Sequence, residues 1–182
     1  MRIIAGKNRG RKLETLEGLA TRPTLDGTKE AIFSSLGGML PGFVILDVFG
    51  GSGALSLEAI SRGAKKAYIL DNNIDAINII KKNAIALDAM KEATILYGDY
   101  HQIIKRFEGT KQFDCIFLDP PFKLKVIDEL VNYIITKDLL ADGGYIVCEY
   151  PKADVVMKEY PGYRVKLCRR YASSEVLILE KE

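Results

Sequence analysis

Short apolar runs alternating with amphipathic stretches fill the chain from Phe43 onward. Strand-like runs, bounded by turn-forming residues, occupy 43–48, 67–70, 93–97, 113–118 and 145–149. Between them, 54–61, 74–87, 100–107 and 126–135 show helical spacing. In the second of these, Ile74, Ile77, Ile80, Ala84 and Leu87 fall on one face and read as core. Strand and helix in alternation predict an α/β fold, a mostly parallel sheet with helices on both faces. The last two runs, 163–169 and 175–179, lie too close together for a crossover helix and predict a C-terminal antiparallel hairpin, which completes a seven-stranded sheet.

Upstream, 29–36 has helical character and ends at Gly37 and Gly38. Arg22-Pro23-Thr24-Leu25-Asp26 reads as the turn before it, with Thr24 or Asp26 as N-cap. Ile3, Ile4 and Leu13 flank two glycines, a pattern suited to an extended hairpin. These features divide the chain into a small N-terminal extension, 1–22, and a main domain, 23–182. No repeat or low-complexity segment is visible.

The 182 residues suit one domain, and a composition of 48% hydrophobic and 27% charged residues is that of a soluble globular protein. No apolar run approaches the ~20 residues of a membrane-spanning helix. Residues 1–12 lack a signal-peptide hydrophobic core, and Cys115, Cys148 and Cys168 suggest neither a disulfide framework nor a zinc knuckle. A cytoplasmic monomer without a metal is expected. Charge changes the picture more. Arg2, Lys7, Arg9, Arg11 and Lys12 give residues 1–12 a charge of +5 with no acid, so the remaining 170 carry −3 of the total +2. With Arg22 they form the candidate RNA-binding set.

The most informative stretch is Ile45-Leu46-Asp47-Val48-Phe49-Gly50-Gly51-Ser52-Gly53, a buried strand running into a glycine cluster that opens a helix. Glycines allow a sharp turn and close approach to a ligand, and the helix start presents free N–H groups. A dinucleotide fingerprint fails, because counting from Gly51 its third glycine falls on Ser56. Asp47 would repel a pyrophosphate and attract a sulfonium and an ammonium, which favours S-adenosylmethionine. Asp71 ends the second strand, where an acid can accept both hydroxyls of a ribose. Asp99 follows the third, within reach of an adenine amino group. Ser52, Asn72 and Tyr100 beside these positions complete the candidate cofactor set with Gly51 and Gly53.

The fourth strand ends in Asp119-Pro120-Pro121-Phe122. Two prolines stiffen this loop and remove two N–H donors, leaving oxygen acceptors. Such acceptors, the Asp119 side chain and the Pro120 carbonyl, can take the two N–H bonds of an exocyclic amine and turn it toward a methyl donor, and Phe122 is placed to stack on the base. His101, the only histidine, is given no catalytic role. Lys152, Arg164, Lys166, Arg169 and Arg170 either extend the basic surface or guard an edge strand against aggregation, and the two readings stand equal.

Asp-x-Phe-x-Gly-Ser-Gly-Ala-Leu with Asp-Pro-Pro-Phe, preceded by Arg-Ile-Ile-Ala-Gly-Lys-x-Arg-Gly-Arg-Lys-Leu and Arg-Pro-Thr, resembles the bacterial 16S ribosomal RNA guanine-N2 methyltransferase D family over nearly the whole chain. The resemblance implies a Rossmann-like class I methyltransferase domain with a small basic extension. It implies action on a guanine of the helix 31 loop, position 966 in the conventional rRNA numbering, in 16S rRNA of the small ribosomal subunit. It further implies that Asp47, Gly51, Gly53, Asp71 and Asp99 line the cofactor site, and that Asp119, Pro120 and Phe122 receive the base. The chain departs from the family at Asp71, where Glu is common, at Gly50, where Ala is common, and at Tyr171-Ala172, where Tyr-Gly is common. The first two changes are expected to be mild. The alternatives are an amino-methyltransferase acting on another RNA or on DNA, and a non-catalytic RNA-binding assembly factor. Asp rather than Asn before Pro-Pro weighs against an adenine-N6 enzyme.

Overall fold

The computed structural model describes residues 1–16, 23–152 and 159–182, and in the first helix the side chains from Asp26 onward. Among the described residues the elements are α1 (Pro23–Ser35), β1 (Val44–Asp47), α2 (Ala54–Ser61), β2 (Lys66–Asp71), α3 (Ile74–Ala86), β3 (Ala93–Tyr97), α4 (Tyr100–Lys105), β4 (Phe113–Leu118), α5 (Ile127–Thr136), β5 (Leu140–Pro151), β6 (Tyr163–Arg170) and β7 (Ser174–Lys181). The strands form one sheet in the order β3-β2-β1-β4-β5-β7-β6. The first five are parallel, and β7 runs antiparallel between β5 and β6. The seven-stranded α/β sheet with its C-terminal hairpin is therefore as expected. The chain proceeds outward from β1 to β3 and then returns to β4 on the other side of β1, so the switch in direction falls between β1 and β4. Open α/β sheets bind ligands at the strand carboxyl ends beside such a switch.

Side chains alternate across the sheet because successive Cβ atoms point to opposite faces. Ile45, Ile69, Phe117, Val176 and Ile178 meet Phe33 of α1, Leu57 of α2 and Ile77 and Ile80 of α3. Leu46, Leu70, Ile116, Leu118 and Leu177 meet Ile104 of α4 and Leu130 and Ile134 of α5. Two apolar layers thus hold β1 and β4 from both sides.

Two boundaries differ from expectation. Helix α1 begins at Pro23, so Thr24 and Asp26 lie inside its first turn and neither is the cap. Proline at a helix start has φ already set and lacks an N–H that would go unbonded there. Arg22 lies outside the described residues. Strand β5 begins at Leu140, five positions early, because Leu140 pairs with Phe113 before a register shift that brings Tyr145 opposite Cys115.

The N-terminal segment pairs with itself. Arg2 bridges Lys12, the Ile3 amide donates to the Arg11 carbonyl at 2.9 Å, and the Gly10 amide donates to the Ile3 carbonyl at 2.8 Å. Ile3 and Leu13 are buried in the same layer as α1 to α3. The hairpin root lies against α1 and its tip against the carboxyl ends of α2 and α3, where the Lys7 amide donates to the Ser61 carbonyl and the Asn8 side chain to the Leu87 carbonyl. A Cβ on Gly6 would stand 1.8 Å from the Ser61 carbonyl oxygen, so only glycine seats this tip.

Candidate active site

The carboxyl ends of β1, β2, β3 and β4 bring the expected acids to one edge through register alone. Asp47 is the Cα partner of both Ile69 and Phe117, and Asp71 is the partner of Tyr97. Asp119 follows Phe117 by two residues, and Asp99 follows Tyr97 by two.

Asp47 is 1% exposed. Its Oδ2 accepts the Ser56 hydroxyl at 2.8 Å from the first turns of α2, while its Oδ1 is buried with no hydrogen-bond partner. Burial pushes the carboxyl up to about 7 and the nearby Asp71 charge adds to this, opposed by hydrogen bonds from Ser56 and the Phe49 backbone. An unsatisfied buried carboxylate oxygen costs free energy unless a donor or cation meets it. Ser56 stands where a dinucleotide loop would need its third glycine. Its hydroxyl is instead the support that orients Asp47, and no spacing rule pointed to it.

The glycine loop is pinned from two sides. The Gly51 amide donates to Asp71 Oδ2 at 2.9 Å, and the Gly50 amide donates to the Leu70 carbonyl at 2.7 Å. Asp71 Oδ1 also accepts the Asn73 amide at 2.8 Å, and Asn73, not Asp71, caps α3 through a bond from the Asp75 amide. Gly53 caps α2 at φ 79° without a side-chain cap hydrogen bond. The Ser52 carbonyl accepts a bond from Asn83 at 2.9 Å. Asn72 is exposed beside Asp71. In this chain a Cβ at Gly50 would lie 2.6 Å from Ile69 Cγ2 and 2.9 Å from Ile80 Cδ1, so the alanine common in the family would require these side chains to shift. Ile69 is fully buried and restricted at its branched Cβ, so such a shift is not free.

Asp99 caps α4, its Oδ1 accepting the Gln102 amide at 3.2 Å, and remains exposed. Tyr100 packs on Phe49 at 5.0 Å between ring centroids, a contact that closes the β1 and β3 loops against each other. His101 stacks on Tyr100 and is exposed. In the loop after β4, Asp119 and Phe122 are half-buried, Pro120 is buried and Pro121 exposed. The Leu124 amide donates to the Pro121 carbonyl at 2.8 Å, which closes the loop into a turn.

Arg2, Lys7, Arg9, Arg11 and Lys12 are all exposed on the hairpin. They are not equivalent. Arg2 lies 3.8 Å from Asp26 and Lys7 lies 3.3 Å from Glu92, whereas Arg11 gives one N–H to the Ala86 carbonyl and keeps its other donors. Among the described residues, no acid pairs with Arg9, Arg11 or Lys12. On edge strand β6, Arg164 and Lys166 pair with Glu180, and Arg170 pairs with Glu175. Arg169 lies over the Tyr171 ring at 5.7 Å. No group of three or more His, Cys, Asp or Glu suited to a metal occurs among the described residues. No helix among them is long and apolar enough to cross a membrane.

Residues 1–180 match the family model described as "Conserved hypothetical protein 95". The chain is 38% identical over 156 residues to the "Putative rRNA methyltransferase YlbH" of Bacillus subtilis, covering 84% of this chain and 83% of that protein. It is 35% identical over 153 residues to the "Ribosomal RNA small subunit methyltransferase D" of Haemophilus influenzae, covering 84% and 79%. This chain belongs to the methyltransferase D family. Its structure superimposes on the solved structure of the "Putative methyltransferase yhhF from Escherichia coli" with a TM-score of 0.87 at 27% identity, covering 100% and 98% of the two chains. The Rossmann-like class I fold is thus present across the described residues, and Asp47, Asp71 and Asp119 lie at the strand carboxyl ends where open α/β sheets bind ligands.

Proposed function

We propose that this methyltransferase D family member transfers a methyl group from S-adenosylmethionine to the exocyclic N2 amine of a guanine in 16S ribosomal RNA of the small subunit, in the helix 31 loop. The observation that carries the reading is the meeting of a buried carboxylate with one unpartnered oxygen, Asp47, and the Asp119-Pro-Pro-Phe122 loop on adjacent strands β1 and β4. The set of acceptors fits the cofactor. Asp47 Oδ1 is the acceptor for its cationic methionine end, and Asp71 and Asp99 offer carboxylates to its ribose and adenine. When bound, it supplies an electrophilic methyl group.

The remaining work falls to the chain's own residues. Asp119 and the Pro120 carbonyl accept the two N–H groups of the target amine and turn its lone pair out of conjugation. As positive charge develops on nitrogen, the same oxygens stabilise it, an effect that commonly contributes about 10²–10³ in rate per group. The proton that the methylated nitrogen then loses passes along its hydrogen bond to the Asp119 carboxylate. Phe122 stacks on the base, a contact of about 1–3 kcal/mol in single-strand sites. The base must be unpaired or flipped to reach this loop. The hairpin cations bind phosphates and hold the RNA across α2 and α3.

The test is incubation with labelled S-adenosylmethionine and small subunits from a strain lacking the modification, followed by mass spectrometry of the modified nucleoside. N2-methylguanosine is expected. Methyl on adenine would replace the base assignment, and RNA binding without any transfer would make the protein an assembly factor.

A further inference from the structure

Asn83, in the last turns of α3, is 3% exposed, and the chemistry described so far does not use it. Its side chain makes three bonds. Oδ1 accepts the Glu14 amide at 2.8 Å, and Nδ2 donates to the Glu14 carbonyl and to the Ser52 carbonyl, both at 2.9 Å. The amide orientation is fixed by this set, since the reverse would face its oxygen toward two carbonyls. A polar residue needed only to satisfy the hairpin backbone would stop at the two Glu14 bonds. The third reaches the cofactor loop.

The two ends of this bridge are otherwise separately anchored. Glu14 directly follows Leu13, whose amide closes the hairpin root on the Met1 carbonyl. Ser52 directly follows Gly51, whose amide is held by the ribose-binding candidate Asp71. Asn83 is therefore the buried side chain that joins the basic hairpin to the loop on which the cofactor rests. We propose that Asn83 is a positioning residue that couples RNA docking to cofactor binding. Phosphate contacts that fix the hairpin fix Glu14, and through Asn83 they fix Ser52 and the loop backbone. By linkage, cofactor must then tighten RNA binding by the same factor that RNA tightens cofactor binding. This rests on the RNA role proposed for the hairpin.

The experiment measures four affinities on the full chain: 16S ribosomal RNA with and without saturating S-adenosylhomocysteine, and S-adenosylhomocysteine with and without that RNA. In the wild type each ligand is expected to tighten the other at least about fivefold, within the usual range of coupling. In Asn83→Ala and in Asn83→Asp, which keeps an acceptor for the Glu14 amide but loses both donors, the ratio is expected to fall below about twofold, however the single affinities move. A wild-type ratio of one, or an unchanged ratio in both variants, overturns the proposal. Amide hydrogen exchange on the wild type tests the same bridge should the variants fail to fold. Addition of RNA alone is expected to slow exchange across residues 51–57, and unchanged exchange there also overturns it. Wild-type protein that methylates RNA without coupling removes only this inference. Protein that neither binds RNA nor transfers methyl removes the functional reading as well.

Discussion

The Ser56 hydroxyl donates to Asp47 at 2.8 Å and leaves the other oxygen of that buried carboxylate without a partner. This half-satisfied acid is the one proposed to meet the cationic end of the cofactor, and its state of charge depends on pH.

Asp47 is raised from an ordinary value of 3.8 to about 7, chiefly by burial. Between these values the folded, ligand-free protein binds the proton that the unfolded chain has released. The contribution of Asp47 to stability therefore falls as pH rises from about 4 to 7, and Asp47→Asn removes that contribution. A cationic cofactor favours the ionised form, so the sign for binding is opposite. Affinity for S-adenosylmethionine should climb from pH 5 to 7 with release of a proton, measured calorimetrically in buffers of different ionisation enthalpy. Flat affinity and no proton release would confine Asp47 to holding the loop.

Asp119 lies beyond β4, two residues past the strand partner of Asp47. It is assigned to the base rather than to the cofactor, so Asp119→Ala should lower methyl transfer by at least about 10²-fold, the usual cost of removing one group that stabilises developing charge. S-adenosylhomocysteine affinity should change less than about threefold, since cofactor and base contact different groups. Loss of cofactor affinity in parallel with turnover would move Asp119 into the cofactor site.

Glu58 of α2 is fully buried and holds the hairpin in place. It accepts the Ile4 amide at 2.8 Å and the Ala5 amide at 3.0 Å, and it pairs with Arg62 at 2.7 Å and Lys29 at 3.1 Å. Burial holds the Lys29 ammonium below its usual range, and Glu58 opposes that shift. Glu58→Ala leaves two cations and two amides uncompensated, and a loss of about 3–5 kcal/mol is expected in urea unfolding. A loss below about 1 kcal/mol would mean that water replaces the carboxylate and that the cluster is not a structural anchor.

The sheet was legible in the sequence because both of its faces are covered. Continuous apolar runs such as 115–118 suit a strand covered on both faces, and register then delivers Asp47, Asp71 and Asp119 to one edge without further information. Bonds between elements distant in sequence were not legible. Asn83 lies 31 residues from Ser52 and 69 from Glu14, and nothing in the periodicity of α3 separates it from an ordinary polar position. The start of α1 was misplaced for a related reason. Arg-Pro-Thr is ordinary turn chemistry until the helix that follows has a sheet to pack on, when Pro23 becomes its first residue.

Charge counting on the hairpin also changes once partners are known. Five cations acting on single-stranded phosphates would contribute a slope of about −3.5 to the dependence of log affinity on log salt. Arg2 and Lys7 already face Asp26 and Glu92, and breaking those pairs offsets what a phosphate contact returns. Arg9, Arg11 and Lys12 remain, which lowers the expected contribution to about −2. Replacing these three by glutamine should flatten the measured slope by that amount, while replacing Arg2 and Lys7 should barely alter it. A triple variant with the wild-type slope would show that RNA lies elsewhere, and equal effects of the two sets would show that the Asp26 and Glu92 pairs open on binding.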